Sequence, residues 1–146
     1  MLVSVDYKFG IDSEKELLPI LKEYFKSDLL KDPFKCSIFD FHNGNRTMYL
    51  ELKSRRFNKD KYNSTIIGVN KIEHIKKENK INTKYYFCFR FTDGLFYIEY
   101  DDELFNTFTQ SELYLKHRGY KEKCYNIPID KLKEIKLKIE LSSETK

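Results

Sequence analysis

Asp40, Glu51 and Lys53 have the types and spacing to do chemistry together. In the run Met48-Tyr-Leu-Glu-Leu-Lys53, side chains two apart on a strand share a face, so Tyr49, Glu51 and Lys53 project one way and Met48, Leu50 and Leu52 the other. Asp40 lies in an earlier run, Phe34-Lys-Cys-Ser-Ile-Phe-Asp-Phe41, and the polar segment His42-Asn-Gly-Asn-Arg-Thr47 separates the two. Strand, turn and strand is the expected local structure. Two registers are open. A four-residue loop over 44–47 pairs 43 with 48, 42 with 49, 41 with 50 and 40 with 51, which opposes the two carboxylates with Cβ atoms roughly 5 Å apart. A two-residue Asn43-Gly44 turn pairs Asp40 with Thr47 instead and leaves Glu51 about 13 Å further on at ~3.4 Å per residue. Local turn preference favours the second register. The first is adopted because it brings together residues that make chemical sense.

Opposed carboxylates repel and weaken a sheet unless a cation lies between them. Magnesium, with manganese as a substitute, takes one or two carboxylates and completes its shell from water and substrate phosphate oxygens, so Asp40, Glu51 and a scissile phosphate form a plausible set. Such an ion lowers the pKa of its bound water, and Lys53 on the same face orients that water or stabilises charge on the phosphate. Glu14 is the candidate third acid. It stands three residues before Leu17 and seven before Leu21, on the inward stripe of a helix, where an acid needs a reason to be.

The elements that must position these residues follow from periodicity. A helix is expected over 12–26 from Leu17, Ile20, Leu21, Tyr24 and Phe25, with Asp12 or Ser13 as cap and Pro19 as a kink or restart. After the first hairpin, 54–65 reads as a polar, basic loop and 66–79 as a second helix. Tyr85 to Phe91 and Leu95 to Tyr100 flank Thr92-Asp93-Gly94 as a second hairpin, its aromatics better suited to core packing than to base stacking. Short strands are expected at 113–115 and 125–129, and a closing helix from Lys131 towards Ile139 with Asp130 as cap. The order implies an α/β or α+β domain on one central sheet, and 146 residues suit a single domain.

A helix bearing Glu14, then Asp40, a ten-residue gap, Glu51-Leu52-Lys53 and a further helix resembles the PD-(D/E)xK nuclease superfamily over roughly residues 10–100. The pattern from Asp40-Phe41 through Glu51-Leu-Lys-Ser-Arg55, Tyr62 and Ile67-Gly-Val-Asn-Lys71 is also similar to small uncharacterised members from phages and large DNA viruses, in keeping with an Asn, Lys, Ile and Tyr rich composition. The resemblance implies a restriction-endonuclease-like core with a central mixed β-sheet flanked by helices. It also implies magnesium-dependent phosphodiester hydrolysis, with Asp40 and Glu51 as metal ligands and Lys53 as the catalytic lysine. Phe39 stands where the name-giving motif has proline.

The expected partner is nucleic acid, DNA before RNA, which agrees with a net charge of +4. Arg55, Arg56, Lys59 and Lys61 follow the site as phosphate contacts, and Lys71, with Lys76, Lys77 and Lys80, lines the same groove. Blander readings stand beside these: a solvated ion pair for Glu51 and Lys53, a turn-bonding residue for Asp40, a first-turn carboxylate for Glu14, and exposed basic faces for the rest. Junction resolution would call for a homodimer, for which no surface is legible. The histidines stand far apart, and none is assigned catalysis beyond a slight chance that His42 touches substrate. Three scattered cysteines without a CxxC pair give no zinc site and suit reduced thiols, and neither a nucleophile elbow nor a phosphate loop is present. With no signal peptide and no membrane-spanning run, a soluble cytoplasmic protein, or a virion one if viral, is expected.

Overall fold

Leu17 and Leu21, one helical turn apart, bury against a sheet, and that stripe fixes the first helix, α1 (Leu2–Phe25). The computed structural model describes residues 2–34, 37–115 and 119–136, with side chains from residue 14 onward and without that of residue 115. Pro19 lies inside α1 without ending it, because it is exposed and the amide it lacks is on the solvent side. The helix starts well before 12, so Glu14 is past the first turn, and its reading as a dipole-favoured first-turn carboxylate falls.

The central sheet has six strands: β1 (Leu30–Lys31), β2 (Phe41–His42), β3 (Met48–Ser54), β5 (Lys84–Phe91), β6 (Gly94–Glu99) and β9 (Lys133–Ile135), in that spatial order. β3 and β5 pair in parallel over seven residues, and the other neighbours are antiparallel, so the sheet is mixed and the fold is α+β. A smaller antiparallel sheet is ordered β4 (Ser64–Gly68), β8 (Tyr120–Pro128), β7 (Gln110–Leu115).

Alternation along the strands sorts two cores. Leu50, Leu52, Tyr86, Cys88 and Leu95 face α1, with Leu17, Leu21 and Ile135. Tyr85, Phe87, Phe89, Phe91, Phe96 and Ile98 face the other way, onto Ile72 and Ile75 of the second helix, α2 (Val69–Glu78), and onto Ile67, Tyr125 and Ile127 of the small sheet. Each side chain so buried contributes roughly 1.5–3 kcal/mol. The aromatics of the second hairpin are core, as expected. Its loop is Thr92-Asp93, and Gly94 is needed there because a Cβ would come within 2.9 Å of the Phe96 ring.

Several expectations need correction. Of the first strand expected over 34–41, the described residues keep only Phe41, in β2 (Phe41–His42), with bends over 38–40, while 35–36 lie outside the described residues. Ile66 and Ile67 belong to β4 rather than to a helix, since Thr65 and Ile67 bury on one side of a strand while α2 begins at Val69. A single 3-10 turn, Ile129–Lys131, replaces the start of the closing helix, and β9 follows because Ile135 pairs with Leu95 and packs on the α1 face. The end of that expected helix lies outside the described residues. A short helix, α3 (Asp102–Phe105), is capped by Asp101, whose carboxylate accepts from the Leu104 amide at 2.8 Å.

Candidate active site

The register that brings the two acids together is the observed one. Phe41 pairs with Leu50 and His42 with Tyr49, which sets position 40 against 51. Asn43 explains why the Asn-Gly signal is not used for a two-residue turn. Its backbone N–H donates to the Met48 carbonyl (3.1 Å), and its side-chain oxygen accepts from the amides of Thr47 (2.8 Å) and Met48 (3.0 Å). The left-handed residue of the loop is then Arg46, at φ 59°.

β2 begins only at Phe41, after the bends at 38–40, so the Leu52 N–H on β3 has no strand carbonyl opposite it. The Asp40 carboxylate accepts that hydrogen bond at 2.8 Å. Asp40 therefore bonds the site strand rather than the turn. Glu51 projects from β3 beside Phe87 onto the aromatic face and is 4% exposed, so the pair with Lys53 is no solvated strand face. An acid so placed is costly unless its charge is answered.

Two ammonium groups answer it, and a third answers the neighbouring acids. Lys53 Nζ lies 3.1 Å and Lys71 Nζ 3.3 Å from the same Glu51 oxygen, Oε2. Lys31, on β1, lies 2.6 Å from Glu14 and 3.9 Å from Asp40. Burial, then the charge of Asp40, pushes the Glu51 pKa up against the pull of both lysines. Burial also raises that of Glu14, the Lys31 hydrogen bond works against it, and the Asp40 charge adds to the rise. For Lys31, burial lowers the pKa, but the Glu14 hydrogen bond and the charges of Glu14, Asp40 and Glu51 more than offset this. Glu14, Asp40 and Glu51 thus share one field, interleaved with Lys31, Lys53 and Lys71.

Lys31 was missed from sequence because it lies on a two-residue strand with little periodic signal. Lys71 was expected in a groove, but its ammonium sits inside the cluster. The remaining basic candidates lie elsewhere. Arg55 points inward, donating to the Ile66 carbonyl (2.9 Å) and Thr65 Oγ1 (3.4 Å) with its guanidinium 5.7 Å from the Phe89 ring centre, and burial lowers its pKa. Lys59 reaches over the Phe96 ring and Lys61 over those of Phe57 and Tyr62, while Arg56 is exposed. Lys76, in the last turn of α2, pairs with Asp102, and Lys80, just past the end of α2, donates to the Tyr49 hydroxyl at 2.7 Å. His42 is buried and bonded to the Asn43 carbonyl oxygen through a ring nitrogen at 2.8 Å.

The donor set suits a hard divalent cation in one respect. Asp40 and Glu51 offer oxygen only, and the Asp40 charge opposes the ionisation of Glu51, a cost that a cation between them would relieve. Among the described residues, no group of three or more His, Cys, Asp or Glu side chains is placed to hold a metal ion. An ion held by these two carboxylates would have to take the rest of its shell from water and substrate. Also among the described residues, no helix is long and apolar enough to cross a membrane. No protein-family model matches the chain, and no curated protein matches it.

Proposed function

We propose that this protein is a magnesium-dependent nuclease that hydrolyses phosphodiester bonds, acting on DNA, and that its mixed sheet with α1 and α2 on opposite faces is a restriction-endonuclease-like core. One observation carries this: a buried acid on β3, a second acid bonded to the backbone one residue further on, and a lysine two positions along gather where the pairing of β2 with β3 gives out. Asp40 and Glu51 would hold the metal, which when bound polarises the phosphate and acidifies a water. Asp40 is aimed by the Leu52 amide. Lys53, 38% exposed at its side chain, is the cluster's ammonium on β3 best placed to meet a phosphate oxygen and stabilise the charge that builds there. Glu14 holds Lys31 beside Asp40 and keeps the local charge balanced. Arg56, Lys59 and Lys61, just after the site strand, supply positive charge for backbone contacts.

A second function, binding nucleic acid without cutting, is favoured by a different observation. Each carboxylate already has a lysine beside it, so the cluster is neutralised without any metal. Incubating plasmid and branched DNA with magnesium or manganese separates the two. Metal-dependent nicking that is lost in both Asp40→Ala and Lys53→Ala is the outcome expected of the nuclease. DNA binding by the wild type with no cleavage in either metal would establish the non-cutting module.

A further inference from the structure

Lys71 is the third residue of α2, at the helix end where backbone N–H groups already concentrate positive charge. Its side chain is only 14% exposed. A buried cation at the wrong end of a helix has to be held there by partners. Two of its contacts join the bend that leads into β2 to the site strand β3. The ammonium donates to the Ile38 carbonyl, two residues before Asp40, and lies 3.3 Å from Glu51. It also stands 6.0 Å from the centre of the Phe39 ring, the residue that replaces the motif proline. Phe39 packs in turn against Tyr49, Tyr85 and Phe87, while Ile72 and Ile75 seat α2 in the same core. The root of Lys71 is thus fixed by packing and its tip by two acceptors.

Building on the nuclease reading, we infer that Lys71 is a positioning residue for the metal site. One ammonium spans the segment that leads into Asp40 and the carboxylate of Glu51, and so sets the separation at which the two acids meet a divalent ion. Lys53 is left to face the substrate. Lys71 itself touches neither phosphate nor metal in this role.

Calorimetric titration of the full chain with manganese chloride, without nucleic acid, is the test. Lys71→Met is expected to weaken manganese binding by about 10- to 100-fold, the usual effect of removing a group that orients a ligand. Lys71→Arg, which keeps the charge and reaches both acceptors, is expected to bind like wild type. Thermal melting without metal checks that each variant folds, and Lys71→Gln, with the same expected loss, replaces Lys71→Met if the latter does not. Unchanged affinity in Lys71→Met overturns the inference, as does tighter binding, which would make Lys71 a mere competitor of the ion. Equal losses in Lys71→Met and Lys71→Arg overturn it too. If wild type binds no manganese, the nuclease reading falls, and this role falls with it.

Discussion

The two hairpins of the central sheet share an antiparallel plan and do opposite work. β5 and β6 pair over six residues around a two-residue turn, and their inward positions are apolar and almost wholly buried. β2 and β3 pair over only two residues around a longer loop, and the strand that carries the site holds a buried acid between two leucines. The charged hairpin could not stand alone, since short ribbons are marginal even without opposed charges. Its site strand is instead secured from the other side, by seven parallel pairs to β5. Stability is concentrated in one hairpin so that the other can hold groups that repel.

Emptying the aromatic hairpin tests this most severely. Phe87 is fully buried and is the register partner of Glu51, so Phe87→Ala is expected to cost about 3–5 kcal/mol in urea unfolding. A loss below ~1 kcal/mol would show that β5 does not anchor the site. The next effect is one of pH. Glu51 has a folded pKa raised above its ordinary 4.5, so its contribution to stability is complete below that value and is lost as pH climbs through the raised one. The stability of wild type minus that of Glu51→Gln should therefore fall as pH rises above the ordinary 4.5. A difference that grows with pH would mean that Lys53 and Lys71 outweigh burial. The smallest effect concerns the loop. Asn43→Ala removes two hydrogen bonds from backbone amides, one exposed and one partly buried, and is expected to cost about 1 kcal/mol, with faster hydrogen exchange at Thr47 and Met48.

How far the sequence speaks for itself follows the same division. The aromatic hairpin announces itself, because alternation and Thr-Asp-Gly are local signals and local structure obeys them. The inward place of Glu14 was legible for the same reason, from its spacing to Leu17 and Leu21. The first hairpin gave conflicting advice: turn propensity pointed to the wrong register, and only the chemistry of Asp40 and Glu51 pointed to the right one. Asn43 resolves the conflict through a side chain that bonds ahead to 47 and 48, a use that dipeptide preference does not encode. Ile66 and Ile67 misled because short apolar runs fit helix and strand alike until pairing with β8 decides. Lys71 and Arg55 sit in basic stretches that look solvated, and only the packing of α2 and the small sheet turns them inward.

Each sheet also carries one sealed thiol, Cys88 in the large and Cys124 in the small. Burial raises both pKa values, so neither forms thiolate readily, and an alkylating reagent can reach them only when their surroundings open. The molecule is in this way supplied with two internal clocks. Mass-spectrometric mapping of their labelling rates would time the loosening of each layer separately and reveal whether the sheet bearing the acids lets go together with its smaller neighbour or after it.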